Sequence, residues 1–211
     1  MKSIRTFLEY KDYKMANEWQ LHTHQINAYC YYQNIFDDDM INSIIELGDS
    51  LEIGDAQVGG TFDKAGGANP EIRKTKISWI PTTAENAWLF RKLTDVVLSA
   101  NSQWFGFDLN HIENLQFSVY NEGDFYDAHV DHHFQGAGQY PRKLSFTMQL
   151  TDPAEYEGGQ TYLITSQEPF PIAKEKGSIT FFPSYTLHEV KPVTKGTRKA
   201  LVGWIHGPKW K

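Results

Sequence analysis

His129-Val130-Asp131 and the stretch 187–206, LHEVKPVTKGTRKALVGWIH, decide how this chain is read. Side chains at i and i+2 of an extended strand point the same way, so His129 and Asp131 are expected to face one point while Val130 packs behind them. The third member is expected to be His188, which follows TFFPS (180–184), a buried strand running into a turn. Two histidines and one carboxylate form the facial set that holds non-haem Fe(II) and leaves the opposite positions open. His133 shares strand parity with His129 and Asp131 and is a geometric alternative to His188, although neighbouring positions on one strand crowd an ion. From Arg198 onward the chain alternates, with Arg198, Ala200, Val202 and Trp204 on one face. A guanidinium rising from so apolar a row needs an anion, and its fork fits a carboxylate. Metal set and clamp together suggest an organic acid that chelates iron at one end and pairs with Arg198 at the other.

HVD followed by SYTLHEVKPVTKGTRKALVGW resembles the Fe(II)- and 2-oxoglutarate-dependent dioxygenases of the prolyl 4-hydroxylase type, especially the bacterial PKHD-type hydroxylases. The resemblance continues upstream through IRKTKISWIP (72–81), LQFSVYNEGDFYDAHVD (115–131) and PRKLSFTMQLTDPAEYEGGQTYLI (141–164). It implies a double-stranded β-helix, a cupin-like jelly roll, backed by N-terminal helices, in a mainly β protein with flanking helices (α+β). It also implies Fe(II), 2-oxoglutarate as co-substrate, O2, ascorbate as reductant, and hydroxylation of a prolyl residue in a peptide or protein, of the procollagen-proline type, with release of succinate and CO2. In the family pattern the arginine follows the second histidine at the spacing seen here, which favours His188 over His133. The same pattern makes Tyr120 a hydrogen-bond donor to the co-substrate carboxylate beside Arg198; the alternative is a tyrosine whose hydroxyl simply finds a buried partner. Tyr126, Arg142 and Trp204 are the candidates for contact with the prime substrate, although a charge at a strand start, as at Arg142, is usually solvated.

Composition sets outer limits. A chain of 211 residues with 40% hydrophobic content is long enough to bury a sizeable core as one domain, 1–211, with the catalytic core at about 110–206. The net charge of −6 argues against extended binding to nucleic-acid backbones. Cys30 is the only cysteine, so no intrachain disulfide is possible and a reducing compartment fits. The first residues, MKSIRTFLEYKDYKMANEW, are interrupted by charge and lack the apolar run of a signal peptide, and no segment has the length of a membrane span. A cytoplasmic location is expected; the oligomeric state is not specified.

Taken in order, His22 and His24 read as solvated histidines, and residues 26–36 as an aromatic-rich strand. Asp37-Asp38-Asp39 caps a helix carrying Met40, Ile41, Ile44, Ile45 and Leu51. The glycines between 54 and 70 predict an irregular loop, either a lid near the site mouth or a plain surface loop. The basic cluster Arg73-Lys74-Thr75-Lys76 either meets an acidic or peptide substrate or forms a solvated edge. The periodicity predicts a long helix over 83–105, then a connector at 110–114 containing a surface or packing His111. In the strand 115–120, Leu115, Phe117 and Val119 should face helices, while Gln116, Ser118 and Tyr120 face a cavity. Residues 144–150 read as a half-buried strand with a second polar face. His132 and His133 are expected at the rim, and 135–139 as a flexible loop.

Two other functions compete with the leading one. The same chemistry could act on a free amino acid, another small molecule or an alkylated base. A non-catalytic jelly-roll module with a structural metal is the third reading, but four protein ligands are usual in a closed structural site.

Overall fold

A computed structural model describes residues 26–58, 67, 69–131 and 140–209. The larger of two main sheets is built on β8 (Arg142–Gln149) and β15 (Arg198–His206). Here β8 is flanked by β12 (Ile179–Pro183) and then β1 (Cys30–Tyr32), while β15 is followed by β6 (Leu115–Tyr120), β4 (Lys76–Ile80) and β2 (Gly54–Asp55). A short β5 (His111–Ile112) pairs with the far end of β15. The smaller sheet runs β11 (Phe170–Pro171), β10 (Thr161–Ile164), β13 (Leu187–Val190), β7 (Phe125–His129), β3 (Arg73–Lys74). A two-stranded ladder joins β9 (Tyr156–Gly158) to β14 (Val193–Gly196). All the pairings are antiparallel. The fold is the expected jelly roll with two helices behind it.

Strict alternation explains why the larger sheet has two unlike faces. Leu144, Phe146 and Met148 of β8, Leu115 and Phe117 of β6, and Leu201 of β15 join the core formed with helices α1 (Asp38–Ser50) and α2 (Ala87–Ala100). Ile41 and Ile44 of α1 and Leu89, Leu93 and Val97 of α2 supply the helical side of that core. Each such side chain contributes about 1.5–3 kcal/mol relative to exposure. The opposite face carries Gln116, Tyr120, Thr147, Arg198 and Trp204 and looks into a cavity closed by the smaller sheet. Ser145, Thr147 and Gln149 are buried as well, so β8 is covered on both faces rather than half-buried.

Local chemistry sets the helix ends. The Asp37 carboxylate accepts from the Met40 N–H at 2.9 Å, as the N-cap reading requires. The second helix starts later than residue 83, because Asn86 donates its side-chain amide to Pro81 O at 2.9 Å and its backbone N–H to Thr83 O at 3.2 Å, holding 83–86 in turns. Its last stretch, Asn101–Phe105, widens to a π-helical turn that ends at Gly106, φ 67°.

Three other expectations need correction. Only Cys30–Tyr32 of the stretch 26–36 is strand, because β12 offers an edge only there. Gly54–Asp55 pairs with β4 despite its glycine, and His111–Ile112 of the proposed connector is strand. His22, His24, His132, His133 and the loop 135–139 lie outside the described residues, as do 59–66 and 68 of the proposed lid.

Gly48 lies where α1 rests on Phe117, and a Cβ there would overlap the phenyl ring. Helix propensity alone favours alanine by up to about 1 kcal/mol, whereas overpacking costs about 1–3 kcal/mol. Gly48→Ala is expected to lower stability on balance, measured as a reduced urea midpoint with unchanged slope.

Candidate active site

The smaller sheet puts the two histidines side by side. His129 ends β7 and is the direct cross-strand partner of His188 on β13, their rings 4.1 Å apart between centroids. Asp131 sits beyond the strand end, where its backbone N–H donates to Ser184 O at 3.0 Å. The chain therefore leaves the strand at Val130, whose side chain is 42% exposed and does not pack behind the pair. Asp131 Oδ1 is 3.7 Å from His129 Nε2, and Oδ2 is 3.6 Å from His188 Nε2. One potential ligand atom from each of the three residues can be chosen so that all lie within 4.8 Å of one another.

Each imidazole is oriented from behind. His129 Nδ1 lies 2.8 Å from Asp127 O and His188 Nδ1 2.9 Å from Thr186 O, in both cases the carbonyl two residues earlier. A carbonyl only accepts, so Nδ1 carries the proton and the Nε2 lone pair is left for the convergence point. Burial first, and then the neighbouring His188, hold the His129 pKa down to about 3 against the upward pull of Asp131, so the ring is neutral. For Asp131 burial pushes the pKa upward, but the pull of His188 and His129, with smaller contributions from Trp204 and Ser145, leaves it below the usual carboxylate value. Its Oδ2 is nonetheless buried with no hydrogen-bond partner among the described residues. Two imidazoles and an unsatisfied carboxylate form a donor set suited to a divalent transition metal.

On the larger sheet Arg198 is 2% exposed. Its Nε donates to Gln149 Oε1 and an Nη to Thr161 Oγ1, each at 3.1 Å, and its guanidinium lies 5.3 Å from the ring centre of its cross-strand partner Tyr120. No carboxylate lies within ion-pair distance of it among the described residues. A cavity of about 520 Å³ joins Arg198 to His129, Asp131 and His188. Tyr120, Ala200 and Val202 line it as strand parity predicts.

The proposed substrate contacts also line this cavity. The Tyr126 ring stacks on His129 with centroids 3.5 Å apart and planes 16° from parallel. Arg142 lies 3.9 Å over Trp204 and forks onto Glu113, with Nε on one carboxylate oxygen and an Nη on the other at 3.0 Å. It is half-buried, not the solvated strand-start charge. Glu113 in turn accepts from His206 Nε2 at 2.9 Å. At the mouth, Gly54, Asp55 and Gln57 contribute to the wall, so the described part of the glycine-rich segment does border the site.

Two site residues were missed in the sequence, and a third was read only as part of a cluster that either met substrate or was solvated. Gln149 and Thr161 hold Arg198, and Gln149 belongs to the polar row of β8 that alternation had exposed. Arg73 was read with its basic neighbours as one cluster, yet Arg73 and Thr75 are buried while Lys74 and Lys76 are exposed. Parity within the cluster was the signal.

Residues 115–206 match the family model described as the 2OG-Fe(II) oxygenase superfamily. The chain is also similar to PKHD-type hydroxylases. It is 43% identical over 94 residues to one from Prochlorococcus marinus, spanning 44% of this chain and 42% of the relative. It is 39% identical over 94 residues to one from Gloeothece citriformis, spanning 44% and 43%. The matches thus span less than half the length of these relatives. Among solved structures, a Pseudomonas putida prolyl-4-hydroxylase superposes with a TM-score of 0.66 at 21% identity, covering 86% of this chain and 94% of that one. A Trichoplax adhaerens prolyl hydroxylase gives 0.65 at 17%, covering 85% and 84%. At such identities the structures establish a shared fold.

The hydrogen bond from Arg198 to Gln149 anchors a buried charge. Gln149→Leu is expected to cost about 1–3 kcal/mol of unfolding free energy by leaving a guanidinium N–H unpaired, read from equilibrium denaturation of the protein without added ligands.

Proposed function

We propose that the chain is a 2-oxoglutarate-dependent hydroxylase acting on a peptidyl substrate, with a prolyl residue as the leading target. His129, Asp131 and His188 would hold Fe(II), and Arg198, with Tyr120 beside it, would receive the far carboxylate of 2-oxoglutarate. The observation that carries this is one cavity bounded by a divalent-metal donor set and by a buried arginine that has no carboxylate partner among the described residues. When bound, iron with 2-oxoglutarate and O2 supplies the oxidising power that inserts oxygen into a C–H bond, with succinate and CO2 released.

The chain's own residues position and shield. Thr186 and Asp127 fix the imidazole tautomers through their carbonyls, and Gln149 and Thr161 keep the Arg198 fork in place before a diacid arrives. Tyr126, covering one face of His129, and Trp204, held under Arg142, form apolar walls against which a substrate would lie and from which water would be excluded. A peptide as substrate is supported by the similarity to PKHD-type hydroxylases and to the Trichoplax enzyme, which was solved with a hypoxia-inducible factor peptide fragment. Ascorbate as reductant and a cytoplasmic location belong to the same proposal. The lone Cys30, buried with its thiol pKa pushed up to about 12 by desolvation, fits a reducing compartment. Among the described residues no helix is long and apolar enough to cross a membrane.

Two variants separate the parts. Arg198→Met is expected to weaken 2-oxoglutarate binding by about tenfold to a hundredfold, measured by calorimetry with Mn(II) replacing iron; unchanged affinity refutes the clamp. Divalent metal at a hundred times its dissociation constant should stabilise the wild-type protein by about 2.7 kcal/mol, and Asp131→Ala should abolish that gain. Mass spectrometry of proline-containing peptides after turnover, looking for one added oxygen away from methionine, tests the substrate class.

A further inference from the structure

Arg73 is the second arginine buried in the cavity, and neither the metal set nor the 2-oxoglutarate clamp uses it. It is 8% exposed, it lines the cavity, and its Nε is buried without a hydrogen-bond partner. One Nη donates to the Gln57 carbonyl at 3.2 Å, a neutral acceptor. The guanidinium lies 4.4 Å from the centre of the Tyr126 ring, and that ring is the one stacked on His129. Arg73 is the direct cross-strand partner of Tyr126, so β3 fixes it one aromatic ring away from the proposed metal.

Nearby carboxylates are already engaged by the neighbouring lysines: Asp124 by Lys74 at 3.4 Å and Asp55 by Lys76 at 2.6 Å. Arg73 itself has no carboxylate within ion-pair distance among the described residues. A buried, unpaired guanidinium is costly and marks a place where an anion is expected. In the loaded cavity Fe(II) and Arg198 would be matched by Asp131 and the two carboxylates of 2-oxoglutarate, and Arg142 pairs with Glu113. Glu52 also lines the cavity, yet it forms no ion pair with Arg73.

We infer that Arg73 receives a carboxylate of the substrate, which therefore carries an acidic group close to the carbon that is oxidised. The inference rests on the oxygenase reading and narrows its substrate class. The carboxylate is either an Asp or Glu side chain flanking the target residue or the terminal carboxylate of a short peptide or amino acid. Arg73 acts as a specificity-determining residue, its fork choosing acid over amide and its face steadying Tyr126.

The test uses proline tripeptides in matched pairs, Asp against Asn on either side of the proline and a free against an amidated C-terminus. They are titrated calorimetrically into the full chain loaded with Mn(II) and 2-oxoglutarate. The expected result is that at least one acid-bearing member binds about tenfold to a hundredfold more tightly than its amide twin. Which pair shows the preference identifies the source of the carboxylate. In Arg73→Gln the preference should collapse while 2-oxoglutarate affinity stays unchanged. Arg73→Lys, which keeps the charge and loses the fork, should retain part of it and serves if the glutamine variant melts early. Equal affinities within every pair, no binding by any acid member, or a preference that survives Arg73→Gln overturns the inference. Failure of 2-oxoglutarate to bind the wild-type chain would instead count against the oxygenase reading, and the acid-to-amide ratio remains measurable in that case.

Discussion

An ionised carboxylate oxygen buried without a donor must be compensated by a charge, and Asp131 Oδ2 is the group that imposes this condition here. The compensation has to come from the side where the two imidazoles turn their Nε2 atoms, because each Nδ1 is committed to a backbone carbonyl. That commitment is identical in the two strands, each histidine bonding the carbonyl two residues before it. The smaller sheet therefore delivers two ligand groups already in the right tautomer, and the turn after β7 adds the third.

The larger sheet makes the rest possible by keeping its faces chemically separate. One face is sealed by two helices and provides the cohesion of the molecule. The other can then carry polar groups: Gln149 beside Arg198, which Thr161 reaches from the smaller sheet, and the half-buried Glu113 and His206 around Arg142. Each arginine is held by a different logic. Arg142 is paired with a carboxylate and serves as a plate over Trp204, whereas among the described residues Arg198 and Arg73 meet only neutral acceptors and both line the cavity. The aromatic residues between them, Tyr120, Tyr126 and Trp204, give each guanidinium a flat partner, which limits its rotamers without satisfying its charge.

Much of the site was legible because it lies on strands, where parity converts sequence spacing into direction. His129, Tyr120, Arg198, Ala200, Val202 and Trp204 follow that rule, and the apolar partners Leu115 and Phe117 fall on the helical side as alternation requires. The rule failed where the chain leaves regular structure. Asp131 is two positions from His129 but is not on the same strand, and Val130 is partly exposed at the cavity wall. The second helix begins late because Asn86 binds back to Pro81, a local competition that apolar periodicity does not register.

The sequence by itself determined which residue types were present in which order: a metal-ligating pair, a distant histidine, and an arginine in an apolar row, together with the alternation that makes the core. Only the tertiary structure decided that His188 stands directly across from His129. Cross-strand registry depends on which strands pair, and no spacing along the chain encodes that. The burial of Arg73 against Tyr126 was decided in the same way, since whether a charged side chain faces water or a cavity is set by the strand laid beside it.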